Sequence, residues 1–261
     1  MAARFTILGS GSVGNSAFLE SGDTKVLVDV GFSPRQIRQR LATIGRVPET
    51  LTGILVTHEH SDHVQGIAGI AGKLNIPIYC NRATKEEITF QNPGVKLDFR
   101  LFTTGDAFDV GNIRVETFSV PHDAQDPVGF ILNTDSGRFG FVTDLGHVTK
   151  LVLDRIRSAN VLVLEANHDV KMLQDCLRRP WSLKQRILSR HGHLSNIAAA
   201  EAAAEIMSAD LHHLYLGHLS SDCNTPQLAF QVVQSRLQQI GATHVTLNLT
   251  QQNQPGATLT L

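Results

Sequence analysis

Thr57-His58-Glu59-His60-Ser61-Asp62-His63 directly follows the apolar run Gly53–Val56, and its reading decides the rest of the chain. Three imidazoles and the Asp62 carboxylate crowd into six residues at a strand's end. They cannot all be core groups, because a buried imidazole or carboxylate without a partner costs several kcal/mol. A shared ligand resolves the conflict. On a tight loop His58 and His60 can face one centre while Asp62 and His63 face a neighbouring one, so one short segment seeds two metal positions. The helical His-Glu-x-x-His arrangement does not apply, since His63 falls out of its register.

Runs of β character flank this loop: Arg4–Leu8, Lys25–Val30, Gly53–Thr57, Ile76–Cys80, Asn112–Val120, Val128–Thr134 and Arg138–Thr143, then Asn160–Glu165, Leu211–Leu216 and His244–Leu249. Amphipathic helices are expected over Ser33–Ile44, Val64–Leu74, Thr149–Arg157, Ser182–Arg190, Ser195–Met207 and Thr225–Ile240. The last two begin with Ser and Thr caps, and the last has Pro226 at its first helical position. Few long helices fit among the early strands. Hairpins early and β/α alternation late predict an α/β chain whose two sheets pack face to face with helices outside. No repeat, low-complexity tract or linker offers a place to divide it, so residues 1–261 are expected to form one domain.

Composition narrows the function. The 261 residues are 42% hydrophobic and 18% charged, a globular balance at a size that needs no purely structural metal or disulfide staple. No stretch approaches the roughly 18 apolar residues of a bilayer span, and Met1–Leu8 lacks the features of a signal peptide. A cytoplasmic protein with no membrane partner is expected. Cys80, Cys176 and Cys223 are odd in number, far apart and without C-x-x-C spacing, so reduced thiols are expected rather than a disulfide framework or thiolate zinc site. Lys plus Arg (23) against Asp plus Glu (24) leaves −1, which excludes coating nucleic acid by charge alone. A local exception is Lys171–Arg190, where Lys171, Arg178, Arg179, Lys184, Arg186 and Arg190 face only Asp175. Trp181 in its middle can stack on an unpaired base or be buried.

Gly9-Ser10-Gly11-Ser12-Val13-Gly14 imitates a dinucleotide-binding fingerprint, with Asp29 at the end of the next strand. Spacing rejects that reading, because the interval Asn15–Thr24 holds a turn at Ser21-Gly22-Asp23 and leaves no room for the required helix. A hairpin is predicted. Its glycines serve either a tight turn or a phosphate cradle to which Ser10, Ser12, Asn15 and Ser16 contribute. Further down, His122 follows Asn112–Val120, Asp144 follows Arg138–Val142, and His218 follows Leu211–Leu216. Singly, each reads equally well as a cap or loop residue; with His58–His63 they complete a ligand set.

His-x-His-x-Asp-His followed by single His, Asp and His residues at strand ends resembles the metallo-β-lactamase superfamily over essentially the whole chain. The resemblance implies an α/β fold, the αββα four-layer sandwich, with two divalent metal ions, Mn2+ or Zn2+, between the sheet edges. His58, His60 and His122 would hold one ion, Asp62, His63 and His218 the other, and Asp144 would bridge them. No Cys stands at a ligand position, which speaks against an antibiotic hydrolase. Glyoxalase II and related thioesterases share the same His/Asp set. Leu164-Glu165-Ala166-Asn167-His168-Asp169 and Gly192-His193-Leu194-Ser195-Asn196 are similar to paired motifs of the RNase Z type phosphodiesterases, in which Glu and His donate a proton to the leaving oxygen. Glu165 would then orient His193; the other reading of His193 is a structural residue before a helix. Together with Leu8–Ser16 and His218-Leu-Ser-Ser-Asp-Cys-Asn224, these motifs look like the YycJ/WalJ branch, which acts on DNA from the 5′ end. No room for the β-CASP insertion remains between Asp144 and His218.

The resemblance therefore implies phosphodiester hydrolysis by a hydroxide held between two metals, with a 5′-directed exonuclease on single-stranded DNA as the expected function. A thioester, lactone or cyclic phosphate hydrolase with the same metals is the alternative, and a binding module that retains the site is a third. The basic stretch and the Glu165/His193 pair favour the nuclease, since a small neutral ester would require neither. Candidate catalytic residues are Asp62, Glu165 and His193. Candidate substrate contacts are Ser10, Ser12, Asn15, His168, Arg178, Arg179, Trp181 and Ser195.

Overall fold

Strand alternation sorts the apolar residues into layers. In β1 (Ala3–Gly9), Phe5 and Ile7 join one buried cluster while Leu8 joins another on the opposite face, as the two-residue period of a strand requires. The computed structural model describes residues 2–261; Met1, counted in the expected span, lies outside them. β1 is followed by β2 (Ser16–Ser21), β3 (Thr24–Val28), β4 (Gly53–Leu55), β5 (Ile78–Cys80) and β6 (Phe99–Leu101). A second set comprises β7 (Ala107–Val110), β8 (Ile113–Ser119), β9 (Val128–Thr134), β10 (Gly137–Val142), β11 (Val161–Glu165), β12 (His213–Gly217) and β13 (Thr246–Leu249). β14 (Leu259–Thr260) returns to pair with β1, giving two seven-stranded sheets, ordered β14-β1-β2-β3-β4-β5-β6 and β13-β12-β11-β10-β9-β8-β7.

The helices are α1 (Pro34–Thr43), α2 (Ser61–Val64), α3 (Arg82–Gln91), α4 (Lys150–Ile156), α5 (Val170–Asp175), α6 (Trp181–Ile187), α7 (Asn196–Glu205) and α8 (Pro226–Gln239). Three apolar clusters define four layers. Phe5, Leu19, Phe130, Phe139 and Val163 fill the space between the sheets. Ile37 and Leu41 of α1 and Ile88 of α3 cover the outer face of the first sheet, with Leu27 and Ile54. Residues of α4, α7 and α8, among them Val152, Ala203 and Val233, cover the second with Leu162 and Leu164. β11 is buried along its whole length for this reason, as a parallel strand covered on both faces must be. This is the expected αββα sandwich. Among the described residues no helix is long and apolar enough to cross a membrane.

Several elements depart from expectation. The helix predicted at Val64–Leu74 is the short α2 followed by a π-helical turn, Ala68–Gly72. Gly66 packs here with no room for a side chain: a Cβ would stand 2.5 Å from the Phe32 carbonyl oxygen. α3 escaped prediction because only Thr84 and Ile88 of its ten residues are buried, too few to mark a helical stripe. β6, β7 and β14 lie at sheet edges, where alternation is blurred by exposure. The glycine-rich segment after β1 is the connection of an antiparallel β1–β2 hairpin, as the spacing required.

Loops at the ends of β3, β4, β8, β10, β11 and β12 meet at one edge of the sandwich and are laced by backbone hydrogen bonds. Asn15 N donates to Asp62 O (2.8 Å), Val30 N to His63 O (2.8 Å) and Gly31 N to Asn15 O (2.9 Å). Gly31 sits so close that a Cβ would stand 1.7 Å from the Asp62 carbonyl oxygen. Backbone on both sides cannot yield. Gly31→Ala is expected to destabilise the chain by about 3 kcal/mol and to weaken metal uptake, measured by denaturant titration and by equilibrium dialysis; an unchanged midpoint would show that the loop gives way freely.

Candidate metal centre

The site is assembled by strained turns. Asp29, Asp144 and His218 have φ of 60°, 56° and 54°, a left-handed conformation that costs a non-glycine residue roughly 1–3 kcal/mol when imposed by its surroundings. Only one other described non-glycine residue, Asn75, shares it. The strain directs side chains into the crevice at the strand ends. There His58, His60 and His122 form one group and Asp62, His63, Asp144 and His218 a second, each able to place its ligand atoms within 4.8 Å of one another. All seven residues expected as ligands are therefore brought together, with Asp144 in the second group, and a third, overlapping group joins Asp144 and His218 to Glu165 and His193.

The donor atoms face shared points rather than each other. His60 Nδ1 lies 3.1 Å from His58 Nε2 and 3.3 Å from His122 Nε2. In the second group His63 Nε2 is 3.5 Å from Asp62 Oδ2 and 3.2 Å from Asp144 Oδ2, while His218 Nε2 is 3.3 Å from Asp62 Oδ2. Bonds of about 2.0–2.1 Å to a tetrahedral ion set its ligand atoms about 3.3 Å apart. Asp144 Oδ2 is buried and makes no hydrogen bond despite its closeness to His63. An orphaned carboxylate oxygen among imidazole nitrogens is what a divalent cation would satisfy, so the residues present fit the metal pair.

Three of the five rings are fixed from behind by acceptor oxygens. His63 Nδ1 contacts Asp29 Oδ2 (2.8 Å), and Asp29 also accepts from the Thr57 amide (2.8 Å) and hydroxyl (2.9 Å). His122 Nδ1 donates to Gly192 O (3.1 Å) and His218 Nδ1 to Glu165 Oε1 (2.7 Å). Such outer contacts set the tautomer and aim of metal-binding imidazoles. Asp29 and Thr57 were missed as site residues. Their signal is three-dimensional, since Asp29 lies 34 residues from its imidazole partner.

Glu165 is completely buried. Its Oε2 accepts from the Leu145 (3.1 Å) and Leu194 (2.8 Å) amides, and its Oε1 from His193 Nδ1 (2.8 Å) as well as His218. Burial alone would raise its pKa, but His193 and His218 hold it down at about 2. Burial depresses His193, yet Glu165 outweighs it and keeps the imidazole above its ordinary value. The same contest raises His63, through Asp144, Asp29 and Asp62, and His218, chiefly through Asp144. His58 goes the other way, lowered by burial and by His63.

A cavity of about 300 Å3 opens over this floor, bounded by Ser12, Asn167, Arg179, Arg186, His193 and Ser220 among others. Of the expected substrate contacts, Ser12 and Arg179 line it. Ser10 and Asn15 do not: both are buried, Ser10 Oγ bonds Asn15 Oδ1 (2.9 Å) and accepts from His218 N (2.8 Å), and Asn15 Nδ2 lies 3.3 Å from Asp62 Oδ2. They brace the ligands. His168 is buried with both ring nitrogens unbonded, and burial lowers its pKa to about 4. Ser195 caps α7 through the Ala198 amide. Trp181 is not buried but 62% exposed on the first turn of α6.

The basic stretch is weaker than its local sum. Asp222 pairs with Arg178 (2.9 Å) and Arg179 (3.3 Å), Asp123 pairs with Arg186, and Lys184 is buried with Nζ on Gln174 O (2.7 Å). Asp123, at the cavity wall beside His122, was also missed, and Arg186, expected only as part of the basic stretch, stands on the same wall.

Residues 24–218 match the Beta-lactamase superfamily domain, and the chain belongs to that superfamily. It is a metal-dependent hydrolase by class. Among its curated relatives, Exodeoxyribonuclease YycJ of Bacillus anthracis is 37% identical over 242 residues, covering 92% of this chain and 91% of the relative. Exodeoxyribonuclease WalJ of Streptococcus pneumoniae is 39% identical over 239 residues, covering 90% and 88%. The metallo-β-lactamase fold protein YhfI from Bacillus subtilis superposes with a TM-score of 0.76 at 16% identity over the full length of both chains. Human tRNase Z, short form, gives 0.66 at 18% over 97% and 98%. At these identities the two structures establish the fold alone.

The opposed histidine shifts fix a pH optimum for the metal-free chain. Raised His63, His218 and His193 contribute stability that is full below an unfolded value of about 6.5 and lost as pH rises through their folded values. Lowered His58, His122 and His168 contribute stability present above that value and lost as pH falls. Thermal melts of chelator-treated protein are expected to peak near pH 6.5, and added Mn2+ or Zn2+ should remove the part of the alkaline decline due to His63 and His218 by replacing their protons. A flat profile without metal would contradict the burial of these rings.

Proposed function

We propose that the chain is a two-metal phosphodiesterase and, more narrowly, a 5′-directed exonuclease on single-stranded DNA, with residues 1–261 working as one domain in the cytoplasm beside its substrate. The observation that carries this reading is the pair of neighbouring ligand clusters under a cavity lined by His193, which buried Glu165 holds from behind. The names of the two exodeoxyribonuclease relatives support the choice of DNA. His58, His60 and His122 would hold one ion, Asp62, His63 and His218 the other, with Asp144 between them. When bound, such ions supply a nucleophilic water at neutral pH and polarise a phosphate oxygen. Imidazole and carboxylate ligands accept Mn2+ and Zn2+ alike.

The chain's own residues do the rest. Glu165 fixes the Nδ1–H of His193 and favours its charged form, so Nε2 offers a proton to the departing oxygen. His193 is suited to this, with 22% of its side chain open to solvent at the cavity. Arg179 and Arg186 bring positive charge to the phosphates, and the Ser12 and Ser220 hydroxyls add hydrogen-bond capacity. Trp181 offers an exposed face for base stacking.

End-labelled single-stranded DNA, single-stranded RNA and a chromogenic ester, each incubated with metal-loaded protein, test the reading. Release of mononucleotides from DNA is expected; turnover of the ester alone would replace the nuclease by a small-molecule hydrolase. Asp144→Ala should lose metal and activity together. His193→Ala should retain metal while turnover falls by about 10²–10⁴-fold, and equal metal loss in both variants would remove the proton-donor role. Because Glu165 also grips His218, Glu165→Gln should lower both turnover and metal affinity, the latter by about 10–100-fold.

A further inference from the structure

Two of the three cysteines lie outside the catalytic chemistry yet meet in space. Cys176 ends α5 and packs, half-buried, on a small cluster formed by Leu173, Ile187 and Cys223. Cys223 is buried on the segment that leaves His218, and Cys176 packs against the apolar cluster to which it belongs. Their backbones are tied beside that contact. Asp169 N donates to Cys223 O (2.9 Å), Cys223 N to Ser220 Oγ (3.2 Å), and Arg178 and Arg179 both reach Asp222. Cys176 also lines an open groove with Met172, Leu177 and Arg178, so small solutes reach it.

The thiols are unequal. What burial Cys176 has works to raise its pKa, but the Arg178 and Arg179 amides, Cys223 and the Arg178 charge bring it below the ordinary thiol value. Burial and the neighbouring Cys176 push Cys223 up. Cys80, under the other sheet, is pushed up to about 12 by burial. An accessible thiol of lowered pKa beside a shielded partner is the arrangement of an oxidisable thiol and the one that resolves it.

We propose that Cys176 and Cys223 form a redox-active dithiol whose oxidant is a hydroperoxide. The Cys176 thiolate attacks one peroxide oxygen; the S–O bond forms, the O–O bond breaks, and the departing oxygen takes a proton to become water or an alcohol. The Cys223 sulfur then displaces hydroxide from the Cys176 sulfenic acid. The S–S bond forms, the S–O bond breaks, and hydroxide leaves as water with the proton of Cys223. Two thiols and one peroxide thus give a disulfide, one water and one water or alcohol. The link welds the Arg178–Arg179 loop at the cavity wall to the segment that follows metal ligand His218. This inference is independent of the nuclease reading.

The test exposes the folded full-length chain to hydrogen peroxide, blocks free thiols and maps unreduced peptides by mass spectrometry. The expected product has lost two hydrogens, joins Cys176 to Cys223, leaves Cys80 free, and reverts with dithiothreitol. In Cys223→Ser the reaction should stop at a sulfenic acid on Cys176 that dimedone traps, and Cys176→Ser should yield no disulfide. The proposal is overturned if wild-type Cys176 proceeds to sulfinic acid while Cys223 stays free, if the disulfide involves Cys80, or if no thiol reacts under conditions that oxidise free dithiothreitol completely.

Discussion

A buried carboxylate that one side chain cannot neutralise governs the crevice. Asp144 is almost fully enclosed and held in a left-handed turn. One oxygen lies 3.2 Å from His218 Nδ1 and 3.9 Å from His122 Nε2, and the other 3.2 Å from His63 Nε2. Taking such a charge out of water costs several kcal/mol even after relaxation, and strained turns at Asp29, Asp144 and His218 add to that. Cations must offset both. Among the described residues the cationic groups within 4 Å of Asp144 are imidazoles, and His63 and His218 hold protons beyond their normal range. Divalent cations bound there would supply the same compensation and release those protons.

The candidate proton donor and a candidate metal ligand meet on one atom. Glu165 Oε1 receives both His193 Nδ1 and His218 Nδ1, while Oε2 receives two backbone amides from separate loops. Three loops, carrying Leu145, His193–Leu194 and His218, are thereby registered on a single carboxylate. His193 and His218 are thereby held in a fixed relation through Glu165, an alignment of the kind that general acid catalysis needs. The same sharing makes substitution effects at Glu165 and His218 non-additive.

Much of this was legible in the sequence wherever chemistry contradicted burial. His58–His63 cannot be a core segment, and His122, Asp144 and His218 each stand at the end of an unmistakable apolar run. Strands were readable where both faces are covered, as in Val161–Glu165, and not at edges such as Phe99–Leu101. What stayed hidden depends on contacts far apart along the chain. Asp29 stands where a nucleotide-binding fingerprint would place its ribose carboxylate; spacing removed that role without revealing His63 as its partner. Ser10 and Asn15 offered hydroxyl and amide groups suited to a phosphate, but the hairpin turns both toward His218 and Asp62. Charge counted over Lys171–Arg190 could not include Asp123 and Asp222, which come from other loops.

Topology explains why the crevice lies at this edge. The two sheets repeat one plan, three antiparallel pairings followed by three parallel ones. No repeat marks it in the sequence, because the plan needs only matching layers and not matching residues. Parallel strands send their connections outward to helices and leave room beyond their carboxyl ends, where open α/β sheets bind ligands. Asp29 follows β3 and the His58–His63 loop follows β4 in one sheet; Asp144, Glu165 and His218 end or follow β10, β11 and β12 in the other. The three large apolar clusters contain none of the seven metal-ligand residues. Apolar packing and the candidate site are thus spatially separate: the clusters fill the layers, and the carboxylates and strained turns stand at the sheet edge.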